Sequence, residues 1–311
     1  MSEQFTIFFI HIIMSISSND QYRRNAASFT RERNPVPIFN AAKYDIGSAR
    51  QETRTKIENY LVHDIVDLPP QLGRRYSGVV LTENQLRSGM KTGDTAPSWS
   101  RFLDQHGIAT IAHHSSQPNE CRSKGWYREM VKQGAWAVEA RRELKMEYLP
   151  KQITHIWSLR NDLRISVMEL VDIAKESQNA GLMPIVGPII RRKGFFSAGD
   201  CAKATSSLLF HFMRLLRENN VDVSAMALQI GMAAHGTENE ARLDPRRVGE
   251  LTLEALANGK TEGVPVRCVV DDDYNDAHVA LSNNTDAAGV FRLFGYSKGD
   301  LILRAHKTHD A

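Results

Sequence analysis

The chain has 311 residues, of which 42% are hydrophobic and 24% are charged, and its formal net charge is +3. This length suits one large α/β domain or two small ones, and the net charge is too small to indicate a partner. Since no Lys/Arg run is interleaved with aromatic residues, the sequence argues against a nucleic-acid-binding protein. The three cysteines are widely spaced, which fits neither a disulfide framework nor a CxxC metal site and favours a reducing cytoplasm.

The first 34 residues differ from the rest of the chain. Residues 5–13 (FTIFFIHII) are strongly apolar. No basic residue precedes them and they are too short to span a bilayer, so neither a signal peptide nor a membrane anchor is expected. Residues 15–34 are polar without a sustained period, which is typical of a linker or a short helix. We therefore predict an N-terminal extension over 1–34, poorly ordered or docked on the body of the protein.

From residue 35 onward, short apolar runs alternate with longer amphipathic runs. The predicted strands cover 36–42, 77–81, 108–112, 135–138, 183–186, 223–229, 264–270 and 290–295. The predicted helices cover 50–66, 98–105, 123–132, 163–180, 198–218, 247–257 and 276–288. Alternating β and α units with nearly continuous apolar strands indicate a parallel sheet covered on its outside. Eight such units in about 275 residues predict a single α/β domain over 35–311, a (β/α)₈ TIM barrel.

The fifth predicted strand lies in the sequence GLMPIVGPII, which follows an amphipathic helix that Gly181 should end. Its carboxyl end is expected near Gly187. In a parallel α/β barrel the carboxyl ends of the strands carry the ligand-binding site. Three basic residues follow this strand, and we interpret them as a solvated charged loop, with anion binding as the alternative: Arg191, Arg192 and Lys193. The aromatic residues Phe195, Phe196, Phe210 and Phe212 are predicted to pack in the core.

Several segments taken together resemble the class I fructose-bisphosphate aldolase family. NAGLMPIVGPII resembles the family's fifth strand, NGIVPIVEPEI, and further similar segments occur in the same order: GSARQETR, SGVVLTENQL, QGAWAVEARRELK, DVSAMALQIGM and VFRLFGYSKGDL. The resemblance implies a (β/α)₈ barrel and a cytoplasmic, tetramer-forming lyase of glycolysis. Such an enzyme cleaves fructose 1,6-bisphosphate through a Schiff base on a lysine, without a cofactor or a metal.

The family's catalytic positions carry different residues in this chain. The Schiff-base lysine falls on Gln229, the acid/base glutamate on Gly187, the second carboxylate on Ile189, the fourth-strand lysine on Glu139, the third-strand lysine on Ala112 or (with a one-residue slip) His113, and the first-strand aspartate on Lys43. An amide nitrogen is not nucleophilic, so no iminium can form at position 229. The resemblance therefore implies a divergent pseudoenzyme in which no catalytic residue is intact.

The substrate-binding positions are also altered. The arginine of the fourth strand is kept as Arg141, and a second arginine becomes Lys298, which retains the charge and loses the bidentate fork. The family's Ser-Gly-Gly phosphate loop becomes Asp271, Asp272 and Asp273. A carboxylate about 4 Å from a phosphate charge costs roughly 4 kcal/mol at an effective dielectric constant of 20. A sugar-phosphate ligand and a homo-oligomer are still implied, with a shortened C-terminal tail, since the chain ends at Ala311.

Two alternatives keep the chain an enzyme. Another lysine at the barrel mouth, Lys145 or Lys298, would take over Schiff-base formation. Otherwise, histidines and aspartates at the same face would support a different reaction, with or without the assistance of a metal ion. The histidines concerned are His113, His114 and His235. No HxH or HExxH spacing supports a metal site. Loops at this face of a barrel are exposed to solvent and are therefore polar whether or not they bind a ligand.

Overall fold

The computed structural model describes residues 21–27, 36–40, 78–88, 98–114, 124–150, 153–241, 243–269 and 293–296. For 36–40 and 293–296 it describes the backbone alone. Lys43, Asp271, Asp272, Asp273 and Lys298 lie outside these residues, as do the helices predicted over 50–66 and 276–288.

The strands are parallel to their neighbours and follow one another in chain order around a ring, in which β8 also pairs with β1. They are β1 (Val36–Asn40), β2 (Gly78–Leu81), β3 (Ala109–His113), β4 (Ala137–Lys145), β5 (Met183–Arg191), β6 (Ala227–Gly231), β7 (Val266–Val269) and β8 (Leu293–Tyr296). Each falls on a predicted strand. The prediction of a parallel α/β fold is therefore confirmed.

The described helices are α1 (Glu83–Ser88), α2 (Trp99–Gln105), α3 (Lys124–Lys132), α4 (Asn161–Asn179), α5 (Ala198–Glu218) and α6 (Pro245–Asn258). They cover the outside of the continuous run β2 to β7, which is described with its side chains. The chain that follows β1, β7 and β8 is outside the described residues. A complete (β/α)₈ repeat thus stays a prediction.

Side chains alternate between the two faces of the ring because successive residues of a strand point in opposite directions. One set, which includes Val79, Ala112 and Val138, packs against the helices in the largest apolar cluster. The other set fills the interior at the amino ends of the strands, where Ile111, Ile185 and their neighbours form a second cluster. The helices contribute matching apolar faces, since every third or fourth residue of α4 is buried.

The helical segment 21–27 packs under the interior cluster. Tyr22 and Ala26 are buried within that cluster. The Asn25 side-chain amide donates to the Trp136 carbonyl oxygen over 2.9 Å. Arg23 forms an ion pair of 3.0 Å with Asp222, in the loop before β6. This part of the N-terminal region therefore covers the amino ends of the strands.

β4 and β5 are longer than the sequence predicted. They pair residue by residue over nine positions, from Ala137 and Met183 to Lys145 and Arg191. The apolar run of β4 ends at Val138, and that of β5 ends at Ile190. The charged residues beyond Val138 nevertheless continue β4, because the hydrogen-bond ladder to β5 satisfies their backbone groups. The expectation that β5 ends near Gly187 was wrong, since Gly187 lies in the middle of that strand.

Two further local differences have identifiable causes. The start of the predicted strand 223–229 is a 3₁₀ turn at Val223–Ala225, which Asp222 caps by accepting from the backbone N–H of Ser224. Helix α1 was not predicted, although its sequence carries a capping box. The Gln85 N–H donates to the Thr82 hydroxyl and the Thr82 N–H donates to the Gln85 side chain. The spacing Thr-x-x-Gln was the signal that would have found it.

Candidate functional site

A layer of polar side chains lies inside the barrel, above the apolar interior cluster. Glu139 and Gln229 are fully buried, Arg267 is 2% exposed, and His113 is one-quarter exposed. Strand pairing brings them together, because His113 is directly opposite Glu139 and Gln229 is directly opposite Arg267. All four point inward. The barrel interior therefore carries charged and amide groups at this level, whereas it is filled by apolar side chains at the amino ends of the strands.

The four side chains form one connected network. His113 Nδ1 lies 2.6 Å from Glu139 Oε2. The Gln229 side-chain Nε2 donates to Glu139 Oε1 over 2.8 Å, and the Gln229 side-chain Oε1 accepts from Arg267 Nη1 over 3.3 Å. A guanidinium only donates and a carboxylate only accepts, so this orientation of the Gln229 amide follows from its partners. Arg267 also forms an ion pair of 3.6 Å with Glu139.

Glu139 is held as a carboxylate. Burial by itself raises the pKa of Glu139, but the hydrogen bond with His113 and the positive charges of Arg267 and Arg141 outweigh it and hold this pKa well below its usual range. For Arg267, burial lowers the pKa from its ordinary value, and Glu139 opposes that change. Since an ionised carboxylate cannot donate, His113 Nδ1 must carry the proton in their hydrogen bond. The other ring nitrogen, Nε2, is then the one available for chemistry.

Gly187 has no room for a side chain. A Cβ built on it would lie 1.8 Å from the carbonyl oxygen of Gln229 and 2.8 Å from the carbonyl carbon. These are backbone atoms of β6, so they cannot turn aside as a flexible side chain would. The family resemblance expects a carboxylate at this position, but the residue is a glycine and the backbone of β6 leaves no space for a larger side chain.

Above the polar layer, a cavity of about 240 Å³ opens at the carboxyl ends of β4 to β7. Four cationic side chains line it, together with one carboxylate and apolar residues. The cations are Arg141, Arg191, Arg192 and Lys193, and the carboxylate is Glu143. Arg141 Nη2 lies 3.7 Å from Glu143 Oε1. Ile189, at the position of the family's second carboxylate, adds apolar surface here. The excess of positive charge suits a small anion.

The other candidate histidines do not join the network. His114 is buried on the opposite face of β3, where its ring packs on those of Trp126 and Tyr127. His235 Nδ1 accepts from the Ala198 N–H of α5 over 3.2 Å. Within the described part of the chain, no group of three His, Cys, Asp or Glu side chains is placed to hold a metal ion. The three aspartates that would complete the predicted metal-assisted site are outside that part.

The two registers predicted for the third strand are distinguished by burial. Ala112 lies among the residues that pack against the helices, whereas His113 faces Glu139 inside the barrel. Sequence reasoning missed Arg267, the largest fully buried side chain among the described residues. The available signal was an arginine within the apolar run VPVRCVV, because a charge in a buried strand needs an opposite charge nearby.

We predict that Gly187→Ala destabilises the protein by at least about 2–3 kcal/mol, because the new methyl group overlaps the backbone of β6. Chemical denaturation of the variant measures this loss. The matched control is Gly199→Ala, since a Cβ on Gly199 in α5 meets only the Ser197 hydroxyl at 3.8 Å. The control should be neutral or slightly stabilising. Equal losses in both variants would contradict the close approach at Gly187.

We also predict a pH effect from Glu139. Its pKa is lowered by folding, so the unfolded chain binds more protons in acid, and the stability that Glu139 contributes is present above about pH 4.5 and lost as the pH falls. In Glu139→Gln, the acid-side slope of the unfolding free energy should be shallower, by up to about 1.4 kcal/mol per pH unit. The variant should also lose about 3–5 kcal/mol at neutral pH, because Arg267 is left without its counter-charge.

Denaturation curves between pH 3 and pH 7 test this effect. Glu238→Gln is the control, because Glu238 lies exposed on a loop. Parallel acid-side slopes for the wild type and Glu139→Gln would show that Glu139 is not held ionised by the fold.

Comparison with known proteins locates a family match in the second half of the chain. Residues 161–271 match the family model described as "Glycolytic: Fructose-bisphosphate aldolase class-I". This segment runs from α4 to just beyond β7 and includes Gly187, Gln229 and Arg267. A search of curated proteins finds no match.

Among solved structures, the chain is similar to fructose-bisphosphate aldolase from Plasmodium falciparum, crystallised with TRAP and a small-molecule inhibitor. The TM-score is 0.69 at 20% identity, over 93% of this chain and 87% of that chain. A protein described as a deoxyribose-phosphate aldolase from Toxoplasma gondii ME49 gives a TM-score of 0.46 at 12% identity, over 88% of this chain and 92% of that chain. The Plasmodium likeness shows a shared fold. The match to the family model is limited to residues 161–271, whereas the shared fold extends over most of the chain.

Proposed function

We propose that this protein is an aldolase-like pseudoenzyme, a barrel that keeps a binding mouth and has lost the Schiff-base lyase reaction of glycolysis. One observation carries the proposal. At the position that matches the family's Schiff-base lysine, the Gln229 amide is hydrogen-bonded on both sides, to Glu139 and to Arg267, in a fully buried network. An amide in this setting offers no nucleophilic lone pair.

The surroundings of Gln229 support the loss of the reaction. Schiff-base formation needs an amine that is desolvated and neutral. Among the residues that the structure describes, no lysine is buried. Lys145, the alternative lysine within this part, is 45% exposed and lies 3.7 Å from Glu147, so it is not desolvated. The proton-transfer carboxylates are missing as well, because Gly187 has no space for one and Ile189 is apolar.

The mouth cavity supports retained ligand binding. Arg141 and the basic residues after β5 surround about 240 Å³, which is enough for a small anion such as a sugar phosphate. We propose, from the family alone, a cytoplasmic setting and a homo-oligomer. No helix within the described residues is long and apolar enough to span a membrane.

Borohydride trapping tests the proposal. Incubation with dihydroxyacetone phosphate and borohydride should give no covalent adduct by intact mass, and cleavage of fructose 1,6-bisphosphate should be absent. Gln229→Lys should also stay inactive. The new lysine would lie beside the Glu139 carboxylate, which would keep it as an ammonium ion, and the carboxylates that the family uses for proton transfer are replaced at Gly187 and Ile189. An active class I aldolase serves as the positive control. An adduct on the wild-type chain would overturn the proposal.

A second candidate function is proton transfer on a carbonyl substrate, and the His113–Glu139 pair favours it. A histidine whose Nδ1–H is held by a buried carboxylate is the arrangement of a general base, with Nε2 accepting the proton. Arg141 is two residues beyond Glu139 on the same face of β4 and lines the mouth, where it would bind the anionic end of the substrate. This reaction needs neither a lysine nor the family's carboxylates.

Hydrogen exchange measures this second activity. Dihydroxyacetone phosphate in D₂O should exchange its carbon-bound hydrogens faster with the protein than with buffer, as followed by NMR. His113→Asn should remove the acceleration, and His106→Asn is the control because His106 caps α2 far from the barrel interior. The same measurement with a chelator added tests the metal-assisted alternative, because only that reaction requires a bound metal ion. Exchange at the buffer rate would exclude this function and leave the pseudoenzyme proposal intact.

A further inference from the structure

A second and larger cavity, of about 440 Å³, lies beside the barrel mouth. It is formed where the end of β4 and the turn after it face the loop between β5 and α5. Its lining combines cations, carboxylates and two phenylalanines: Lys145, Met146, Glu147, Arg191, Lys193, Gly194, Phe195, Phe196 and Glu238. None of these positions corresponds to a catalytic residue that the family resemblance implied. We will call it the rim cavity.

Phe195 departs from its predicted role in the core. Its side chain is 76% exposed, whereas the neighbouring Phe196 is 8% exposed and packs on Ile190 and Cys201. A large apolar side chain left in water beside a cavity is typical of a binding surface. The buried Phe196 anchors the loop, so Phe195 is not required to hold the loop in place.

The loop that carries Phe195 is fixed by the neighbouring loop after β6. The Thr237 N–H donates to the Arg192 carbonyl oxygen over 2.8 Å, and the Glu238 N–H donates to the Gly194 carbonyl oxygen over 3.1 Å. A Cβ on Gly236 would lie only 2.1 Å from the Gly194 carbonyl oxygen, so the two loops are in close backbone contact. The exposed ring is therefore presented from a supported backbone, as preorganised binding requires.

Two cations connect the rim cavity with the mouth cavity. Arg191 and Lys193 line both. Neither forms an ion pair with another described residue, whereas Lys145 on the facing wall lies 3.7 Å from Glu147. An anionic group between the two cavities would meet Arg191 and Lys193 together. An aromatic ring attached to that group would reach Phe195.

The two carboxylates of the rim cavity indicate which chemical groups a ligand should carry besides its anionic group. Glu147 and Glu238 repel a bare anion, but a carboxylate accepts hydrogen bonds from sugar hydroxyls and from an exocyclic amine. Phosphate, sugar and an aromatic ring occur together in nucleotides, and a volume of about 440 Å³ falls within the range of small-molecule sites.

We propose that the rim cavity binds a nucleoside phosphate, with the phosphate at Arg191 and Lys193 and the base stacked on Phe195. This site goes beyond the proposed function and does not depend on whether the lyase reaction is lost. Base stacking on an aromatic side chain is tolerant of the base, so the site should accept several nucleotides.

Isothermal titration calorimetry with ADP tests the site. ADP should bind with a stoichiometry of about one, and Phe195→Ala should weaken binding about tenfold, since stacking of one base contributes about that factor. Phe195→Tyr should retain most of the affinity. Lys193→Ala should weaken ADP binding and leave adenosine unaffected. Both residues are exposed, so these variants should fold as the wild type does.

Matched controls use equivalent residues elsewhere on the surface. Trp157 is an aromatic side chain with 61% exposure, and Lys203 is an exposed lysine of α5. Trp157→Ala and Lys203→Ala should leave ADP binding unchanged. The proposal is overturned if ADP does not bind, or if ribose 5-phosphate binds as tightly as ADP and Phe195→Ala has no effect. The borohydride experiment is independent of these results, so either proposal can fail alone.

Discussion

The barrel interior depends on the burial of one ionised carboxylate. Transfer of an unpaired carboxylate from water into a protein interior costs several kcal/mol or more, so Glu139 requires partners within the same layer. His113, Gln229 and Arg267 supply them from β3, β6 and β7. These contacts fill the centre of the barrel with one connected network, in which Arg267 Nε is buried without a hydrogen-bond partner among the described residues. The same network explains why an arginine can be fully buried in β7.

The close approach of β5 and β6 has a second consequence. Because the Gln229 backbone passes so near Gly187, this region no longer has the room that a catalytic carboxylate would need. The apolar residues of β5, Pro184 to Val186 and Pro188, are the part of this strand that resembles the aldolase sequence. Within this strand, the resemblance thus covers residues that build the barrel and does not extend to the family's carboxylates.

Charge at the open end of the barrel is arranged differently from charge inside it. In the interior, every described charge has an opposite charge within a few ångströms. At the carboxyl ends of β4 and β5, Arg191 and Lys193 face two cavities and form no ion pair with another described residue, beside an exposed phenylalanine on a fixed loop. The first arrangement stabilises the fold, and the second is what a ligand-binding surface requires. The second arrangement therefore suits the binding of small anions.

The parallel α/β architecture could be predicted from the sequence alone, because apolar periodicity is a local property. It placed all eight strands and gave α5 its observed limits, 198–218. The sequence also carried the resemblance to the aldolase family, from which the interpretation of Gln229 and Gly187 as replaced positions follows. The helix α1 was within reach of the sequence, since its Thr82–Gln85 capping box is local as well.

Features that arise between distant segments could not be predicted in this way and became visible in the folded structure. The length of β4 follows from its ladder to β5, about 46 residues further along the chain, and not from its own polar sequence. Glu139 and Gln229 are separated by 90 residues and Gln229 and Arg267 by 38, so no local pattern could pair them. The exposure of Phe195 and the closure of space at Gly187 likewise depend on where a neighbouring backbone passes, which periodicity does not encode.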